Sequence, residues 1–65
     1  MKLQLNGTPV TAEVATLADL LAAHGYGDAK VATAVNGTFV PAPLRADHTL
    51  AEGDSIEVLA PMQGG

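Results

Sequence analysis

Two Asn-Gly pairs, Asn6-Gly7 and Asn36-Gly37, constrain this 65-residue chain more than any other feature of its sequence. Each pair separates two short stretches in which apolar and polar residues alternate, which is the period of a strand with one buried face. Asn-Gly tolerates the positive φ angles of a two-residue hairpin turn, and it is the strongest short-range sequence signal for a β-hairpin. The sequence therefore predicts two β-hairpins, one at the N-terminus and one in the middle.

The two predicted hairpins supply four strands. In the first hairpin, the stretch KLQL alternates polar and apolar residues before the turn, and Pro9 follows the turn. Pro9 has no N–H to donate, which confines its strand to the edge of a sheet. In the second hairpin, we expect a third strand over 31–36 and a short fourth strand through Phe39 and Val40, which Pro41 ends.

Between the hairpins the apolar period changes to that of a helix. Three leucines recur at i, i+3 and i+4, and this spacing places them on one helical face. They are Leu17, Leu20 and Leu21. Thr16 is positioned as the N-cap, Asp19 approximates the acidic partner of a capping box, and Gly25 supplies a left-handed C-terminal stop. The sequence predicts one short helix over 16–24, which must pack its leucines against a sheet because it is marginal alone.

A final strand completes the predicted fold. After an irregular stretch, a Gly53-Asp54 turn precedes a strand over 55–60 in which apolar residues again alternate. The elements make an α+β domain over residues 1–60, with a mixed sheet of four to five strands and one main helix packed across it. This arrangement is the β-grasp, or ubiquitin-like, fold. The predicted core packs the helix leucines against Leu3, Leu5, Val35, Ile56 and Val58.

Composition excludes several classes of function. The chain has no cysteine, so it can form no disulfide, no thiolate metal site and no thiol nucleophile. Its net charge is -4, and only Lys2, Lys30 and Arg45 could neutralise phosphates, so we expect no nucleic-acid partner. No apolar run approaches the roughly 20 residues that span a bilayer, and the N-terminus lacks the layout of a signal peptide. We expect a cytoplasmic protein that does not bind membranes.

The side chains of the domain offer no pattern typical of a metal site or an active site. His24 and His48 are far apart in the sequence and neither has a cysteine beside it, so they lack the ligand spacing of zinc motifs. Ser55 is the one serine, and no histidine is placed in the sequence to suggest a triad with it. The carboxylates are scattered without a pairing that suits general acid–base catalysis. We therefore expect no metal and no enzymatic activity.

The last five residues, PMQGG at 61–65, are the remaining candidate for function, and we predict that they form a flexible tail. Many chain termini have no role. Here, however, Gly64 and Gly65 carry no Cβ, so their extended backbone can enter a channel too narrow for other residues. Pro61 supplies a stiff kink and Met62 an adaptable apolar contact for a docking partner. The tail therefore suits insertion into another protein.

The reactive group that such a tail can offer is its own carboxylate. An α-carboxyl has a pKa of ~3.5, so it is ionised at neutral pH and is a poor electrophile. It can attack the α-phosphorus of ATP to give an acyl-adenylate, whose acyl carbon a sulfur or nitrogen nucleophile then takes. The chain has no nucleotide-binding motif. Other proteins must therefore hold the ATP, the magnesium and the sulfur source.

Four segments together resemble the ubiquitin-like sulfur carrier proteins of thiamine biosynthesis, the ThiS type. They are LQLNG at the start, VATAVNGTFVP in the middle, LAEGDSIEVL at the last strand and MQGG at the end. The resemblance covers essentially the whole chain. Diglycine alone is a weak signal, whereas diglycine directly after a β-grasp of this length and turn pattern is a strong one. The sequence departs from the family in PAPLRADHTL, where relatives often carry a tryptophan after the proline.

The resemblance implies a co-substrate, not an enzyme. An E1-like adenylyltransferase of the ThiF type would adenylate the Gly65 carboxylate with ATP and Mg²⁺, and a cysteine desulfurase or rhodanese-type protein would supply sulfur for a thiocarboxylate. Thiazole synthase, of the ThiG type, would use that sulfur to build the thiazole of thiamine. Gly64 and Gly65 match the family's diglycine, and Pro61, Met62 and Gln63 lie where its tail threads into partners. The chain itself would bind no cofactor.

Three other functions remain open at this point. The small subunit of molybdopterin synthase shares the fold, the diglycine and the thiocarboxylate, although those relatives are usually longer. A ubiquitin-like modifier would be attached to lysines of other proteins. A β-grasp binding module with an idle tail would keep its function after deletion of Gly64 and Gly65. The short chain and the MQGG ending favour the thiamine carrier.

Overall fold

The segments predicted to form strands and a helix do so, and the structure contains one further helix that was not predicted. The computed structural model of the protein describes residues 1–27 and 30–60. In chain order, the elements are β1 (Lys2–Leu5), β2 (Thr8–Thr11), α1 (Leu17–Ala23), β3 (Ala32–Val35), β4 (Thr38–Val40), a 3-10 helix (Ala42–Asp47) and β5 (Ser55–Leu59). The predicted bounds of α1, β3 and β5 are correct to within one residue.

Both Asn-Gly pairs form hairpin turns, as predicted. Asn6 has a φ of +51° and Gly7 of +80°, while Asn36 has +51° and Gly37 +83°. Positive φ at both central residues is the signature of a type I′ turn, whose twist matches that of the strands it joins. The two turns fix the registers of the β1–β2 and β3–β4 hairpins, both of which are antiparallel.

The five strands form one mixed sheet in the order β2-β1-β5-β3-β4. β5 lies in the centre, parallel to β1 and antiparallel to β3. Pro9 lies on β2, which is an edge strand of this sheet. This position was predicted because proline has no N–H to donate to a second neighbouring strand. β5 is also the last element before residues 61–65. The central strand of the sheet therefore leads into the predicted tail.

A capping box starts the helix at the predicted residue. The Thr16 hydroxyl accepts a hydrogen bond from the Asp19 N–H at 3.2 Å, and the Asp19 carboxylate accepts one from the Thr16 N–H at 3.1 Å. Gly25, with a φ of +84°, follows the end of α1. Within residues 1–27 and 30–60, no helix has the length and apolar character needed to cross a membrane.

The helix leucines and the inner faces of the strands form the hydrophobic core. The predicted core residues that are buried are Leu3, Leu17, Leu20, Leu21, Val35, Ile56 and Val58. Leu5, also predicted for the core, is only partly buried. The core further contains Val40, Leu50 and the polar residue Thr33. The mixed sheet with one helix packed across it confirms the α+β, β-grasp prediction.

Substitution of Ile56 with valine tests the central position of β5 in this core. Ile56 has no exposed surface, so loss of one methylene is expected to lower the free energy of unfolding by about 0.5–1.5 kcal/mol. Leu59→Val on the same strand is the matched control, because Leu59 is 64% exposed and should change stability by less than about 0.5 kcal/mol. Urea titration measures both, and equal effects would show that the face of β5 that carries Ile56 is not the buried one.

The stretch predicted to be irregular contains a 3-10 helix that an arginine fastens to the sheet. Nε of Arg45 donates a hydrogen bond to the buried Thr33 hydroxyl at 2.9 Å, and Nη2 donates to the Val31 carbonyl. The Thr33 hydroxyl in turn donates to the Val40 carbonyl at 2.7 Å. The guanidinium thus satisfies a polar group in the core. Without a helical apolar period, this stretch gave no sequence signal for a helix.

Two carboxylates hold loop backbone in place, and both have lowered pKa values. Backbone N–H donors at Thr16 and Ala15 lower the pKa of Asp19 below its ordinary value of 3.8. The pKa of Asp54 is also lowered, first by the Ala51 N–H, which donates to its carboxylate at 2.9 Å, and then by the Asn36 side-chain amide, which donates at 3.0 Å. In each case the hydrogen bonds favour the charged form of the carboxyl group.

These pKa shifts predict a loss of stability in acid. A carboxyl group with a folded pKa below its unfolded value stabilises the fold above the unfolded pKa, and this contribution is lost as pH falls through the folded pKa. The free energy of unfolding should therefore decline as pH drops below about 4, near the unfolded value. In urea titrations at pH 7 and pH 3, the double variant Asp19→Asn, Asp54→Asn should lose less stability than the unmodified protein. An equal loss would assign the acid sensitivity to other groups.

Candidate functional site

The structure describes the point at which the chain leaves the domain. Leu59 is the last residue of β5, and Ala60 is the last residue described in this part of the chain. The five predicted site residues, Pro61, Met62, Gln63, Gly64 and Gly65, lie outside the described residues. The surface that surrounds the end of β5 is the described part of the chain nearest in sequence to these residues.

An apolar surface, which we call the outer patch, lies on the face of the sheet opposite α1. The outer patch consists of Ala32, Ala34, Phe39 and Leu59. Strand register brings its members together, since Ala34 pairs with Phe39 across β3 and β4, and Ala32 pairs with Leu59 across β3 and β5. Alternation along the strands explains the orientation, because Val40 and Val58 next to the large members point into the core.

The outer patch is concave and open to solvent. Phe39 is 65% exposed and Leu59 64% exposed, and they flank the small alanines of β3. The resulting cavity has a volume of about 170 Å³. Large side chains around a floor of methyl groups can receive an apolar side chain of another protein, which is the arrangement found in the centre of protein–protein interfaces. The outer patch can therefore dock a partner beside the start of the tail.

One charge adjoins the outer patch. Glu57 is exposed on β5, where it pairs with Ala34, and its residue lines the same cavity. A carboxylate at the rim of an apolar contact favours a lysine or arginine on the opposing surface and disfavours an acidic one. The net charge of -4 extends this preference to the whole chain. The expected partner surface is apolar in the centre and basic at the rim.

Comparison with known proteins identifies the family. The sequence matches the model of the ThiS family over residues 3–65. The chain belongs to the ThiS family. A crystal structure of the thiamine biosynthesis protein ThiS from Geobacter metallireducens is 32% identical, with a TM-score of 0.84 and full coverage of both chains. An NMR structure of a thiamine biosynthesis protein from the same organism is 30% identical, with a TM-score of 0.77 over all of this chain and 88% of that one. A search of curated proteins finds no match.

ThiS family proteins are small sulfur carriers of thiamine biosynthesis and not catalytic enzymes. The match to the family model includes residues 61–65, so the candidate tail is part of the shared sequence. The family predicted from the sequence is confirmed, the assignment of the tail as the site stays a prediction, and the outer patch was not predicted. The signal that would have found it was the alternation in β4 and β5, in which Phe39 and Leu59 take the positions opposite to core residues.

The segment PAPLRADHTL contains the 3-10 helix, which borders a second cavity. This cavity, of about 290 Å³, lies between α1 and the 3-10 helix, with Leu21, Tyr26 and Arg45 among its lining residues. Arg45 extends from this cavity toward β3, where it binds the Thr33 hydroxyl. The cavity borders neither the outer patch nor β5. We assign the outer patch, and not this larger cavity, to the candidate site.

The two histidines lie at helix ends. His24 is the C-cap of α1, and His48 is the C-cap of the 3-10 helix, with its carbonyl accepting a hydrogen bond from the Leu17 N–H at 2.9 Å. In the part of the chain that the structure covers, no three histidine, aspartate or glutamate side chains come together as a metal site.

Proposed function

We propose that this ThiS family protein carries sulfur as a thiocarboxylate on Gly65 and delivers it for formation of the thiazole of thiamine. The observation that supports the proposal is the family match, which extends over residues 3–65 and so includes the diglycine of this chain. The outer patch supports it, because a docking surface at the end of β5 is suited to a tail that acts inside another protein.

The proposed chemistry has three steps. A carboxylate oxygen of Gly65 attacks the α-phosphorus of ATP, and pyrophosphate leaves to give the acyl-adenylate. The terminal sulfur of the donor's persulfide then attacks the acyl carbon, and AMP leaves to give an acyl disulfide. A thiol attacks the donor's sulfur in this acyl disulfide, forms a disulfide with the donor and releases the thiocarboxylate on Gly65. Adenylation converts a poor electrophile into a mixed anhydride with a good leaving group, so one difficult substitution becomes two easier ones.

The residues of the tail have distinct proposed roles. Gly65 supplies the reacting carboxylate. Gly64 has no Cβ, so its backbone can pass through a narrow channel of the partner. Pro61, Met62 and Gln63 contact the walls of the partner's channel. This division leaves the domain over residues 1–60 to supply docking through the outer patch.

Partners supply what the chain lacks. We propose an E1-like adenylyltransferase of the ThiF type, which holds ATP and Mg²⁺, and a cysteine desulfurase or rhodanese-type sulfur donor. Thiazole synthase of the ThiG type is the proposed acceptor. The chain binds no cofactor in this scheme, and the reactions take place in the cytoplasm.

Intact mass spectrometry of the protein purified from cells tests the proposal. We expect a fraction of the chains to carry sulfur in place of one oxygen, with fragmentation locating the change at Gly65. A variant that lacks Gly65 is the control and should show no such species. A wild-type protein that never carries sulfur at Gly65, in cells that are making thiamine, would contradict the proposal. Rescue of a molybdenum-cofactor mutant and not of a thiamine-requiring mutant would redirect it to molybdopterin synthesis.

A further inference from the structure

The side chains of both turn asparagines bind β5, one at each end of the strand. Oδ1 of Asn36 accepts a hydrogen bond from the N–H of Ser55, the first residue of β5, at 3.0 Å. Oδ1 of Asn6 accepts one from the N–H of Val58, next to the last residue of β5, at 2.8 Å. The two turns have the same sequence and the same φ at asparagine, yet they hold opposite ends of the strand that leads to the tail.

The Asn6 side chain takes the place of a missing backbone acceptor. The parallel ladder of β1 and β5 pairs Leu5 with Ile56, and the Asn6 N–H then donates to the Ile56 carbonyl at 2.9 Å. In a regular parallel ladder, the next hydrogen bond would run from the Val58 N–H to the backbone carbonyl of the residue at position 6. The turn ends β1 at this point, and the side-chain oxygen of Asn6 accepts that hydrogen bond instead.

Asn6 is consequently the last contact of this ladder before the tail. Within the described part of β5, the backbone register with β1 ends at Ile56, whereas the register with β3 continues to Leu59. Without Asn6, the end of β5 would be held from the β3 side alone. The Val58 N–H would also lose its acceptor in a partly buried position.

We propose that Asn6 is a positioning residue for sulfur loading, which fixes the direction in which β5 delivers the tail to the activating enzyme. This inference rests on the proposed function. Reactions between bound groups are sensitive to placement, and a displacement of about 1 Å can cost roughly 100-fold in rate. If the end of β5 pivots about β3, the point at which the tail begins shifts relative to the outer patch, and the Gly65 carboxylate must reach the α-phosphorus of ATP from a variable starting point. Docking through the outer patch would be preserved, because Ala34 and Phe39 lie on β3 and β4 and Leu59 keeps its pairing with β3.

Asn36 provides a matched control. Asn6→Gly and Asn36→Gly each remove one side-chain acceptor for β5 while retaining a residue that adopts positive φ freely. Asn36→Gly also removes the amide that donates to the Asp54 carboxylate at 3.0 Å, so it is the more disruptive substitution and a stringent control. Both variants leave a glycine pair in a two-residue turn, which type I′ geometry accepts. Asn6→Asp is the conservative variant, since its carboxylate oxygen can accept from the Val58 N–H. Asn6→Asp should therefore keep most of the wild-type kcat of adenylation that Asn6→Gly loses.

The experiment combines hydrogen exchange with adenylation kinetics. In Asn6→Gly, NMR should show faster exchange of the Val58 amide, and in Asn36→Gly faster exchange of the Ser55 amide. Adenylation is assayed with an ATP-dependent activating enzyme and with the carrier as the varied substrate. Asn6→Gly should lower kcat by about 10-fold and leave KM within about 2-fold of wild type, because misplacement of the tail slows the chemical step without weakening binding. Asn36→Gly should leave both constants within about 2-fold of wild type. All proteins are measured at a temperature at which each is fully folded.

The outcomes separate this inference from the proposed function. Unchanged exchange at Val58 in Asn6→Gly, or equal losses of kcat in the two glycine variants, would overturn the positioning role. A failure of Asn6→Asp to recover kcat would do the same. If the unmodified protein forms no adenylate with any activating enzyme, the proposed function fails, whereas the exchange data still decide whether Asn6 anchors the end of β5.

Discussion

One alanine added after Gly65 is expected to abolish sulfur loading while leaving the fold and partner docking intact. In the proposed chemistry, the reacting group is the carboxylate of Gly65, and the added residue converts it into a peptide carbonyl. A neutral amide oxygen is not the nucleophile that an ionised carboxylate is. The new carboxylate would lie about 3.5 Å farther along the extended chain, on a residue with a Cβ.

The size of this effect follows from the geometry of reaction at a bound phosphate. A reacting atom displaced by about 1 Å can lose roughly 100-fold in rate, so a displacement of one residue should lower adenylate formation by far more than about 100-fold. ATP–pyrophosphate exchange with the activating enzyme measures this step. The same alanine placed before Met1 is the matched control, and it should load like the unmodified protein. Loading of the C-terminally extended protein at the normal rate, in the absence of trimming proteases, would contradict the mechanism.

Gly65→Ala separates the effect of an added Cβ from the effect of losing the reacting carboxylate. The variant keeps the carboxylate at the correct position and adds only a Cβ. It should therefore load sulfur more slowly than wild type but measurably faster than the extended chain. The order wild type, Gly65→Ala, extended chain would distinguish crowding of a channel from loss of the reacting group.

The hairpins and the helix could be predicted because their signals are local. Asn-Gly specifies positive φ by its own chemistry, and the Thr16–Asp19 capping box is complete within four residues. The leucines of α1 then required a sheet to pack against, which led to the β-grasp topology. None of these inferences needed contacts between residues distant in sequence.

The features that were missed depend on such distant contacts. The Arg45 guanidinium binds the Thr33 hydroxyl across 12 positions of sequence, and Asn6 binds Val58 across 52. The outer patch likewise exists only because the strand register sets Phe39 and Leu59 around the alanines of β3. The tail could be proposed as the site from its chemistry and the family resemblance, since Gly65 needs no folded neighbours to carry a carboxylate.

Truncation of Phe39 to alanine is expected to weaken docking to the activating enzyme by roughly 30- to 700-fold without loss of the fold. This range corresponds to about 2–4 kcal/mol, the cost of losing an aromatic residue from the centre of a protein–protein interface. Phe39 is 65% exposed in the free protein, so its removal takes little from the core. Isothermal titration or surface plasmon resonance measures the Kd, and urea titration checks that stability is retained.

Leu44→Ala is the matched control for this experiment. Leu44 is also a large exposed apolar residue, at 54%, but it lies in the 3-10 helix and outside the outer patch. Its truncation should leave the Kd within about 2-fold of wild type, as expected for a residue outside the interface centre. Equal effects of the two substitutions, or none from Phe39→Ala, would show that the partner binds another surface.

The outer patch and the tail should alter different constants of the same reaction. In the proposed chemistry, the reacting carboxylate of Gly65 is six residues beyond Leu59, and at about 3.3–3.6 Å each these residues reach at most roughly 20 Å. A partner that contacts Leu59 would then hold its ATP within that distance. Phe39→Ala removes docking energy that is present before and during the chemical step, so it should raise KM and leave kcat nearly unchanged. The C-terminal extension removes the reacting group, so it should eliminate kcat while Kd stays normal. A fall in kcat with unchanged KM for Phe39→Ala would mean that the outer patch places the tail instead of holding the partner.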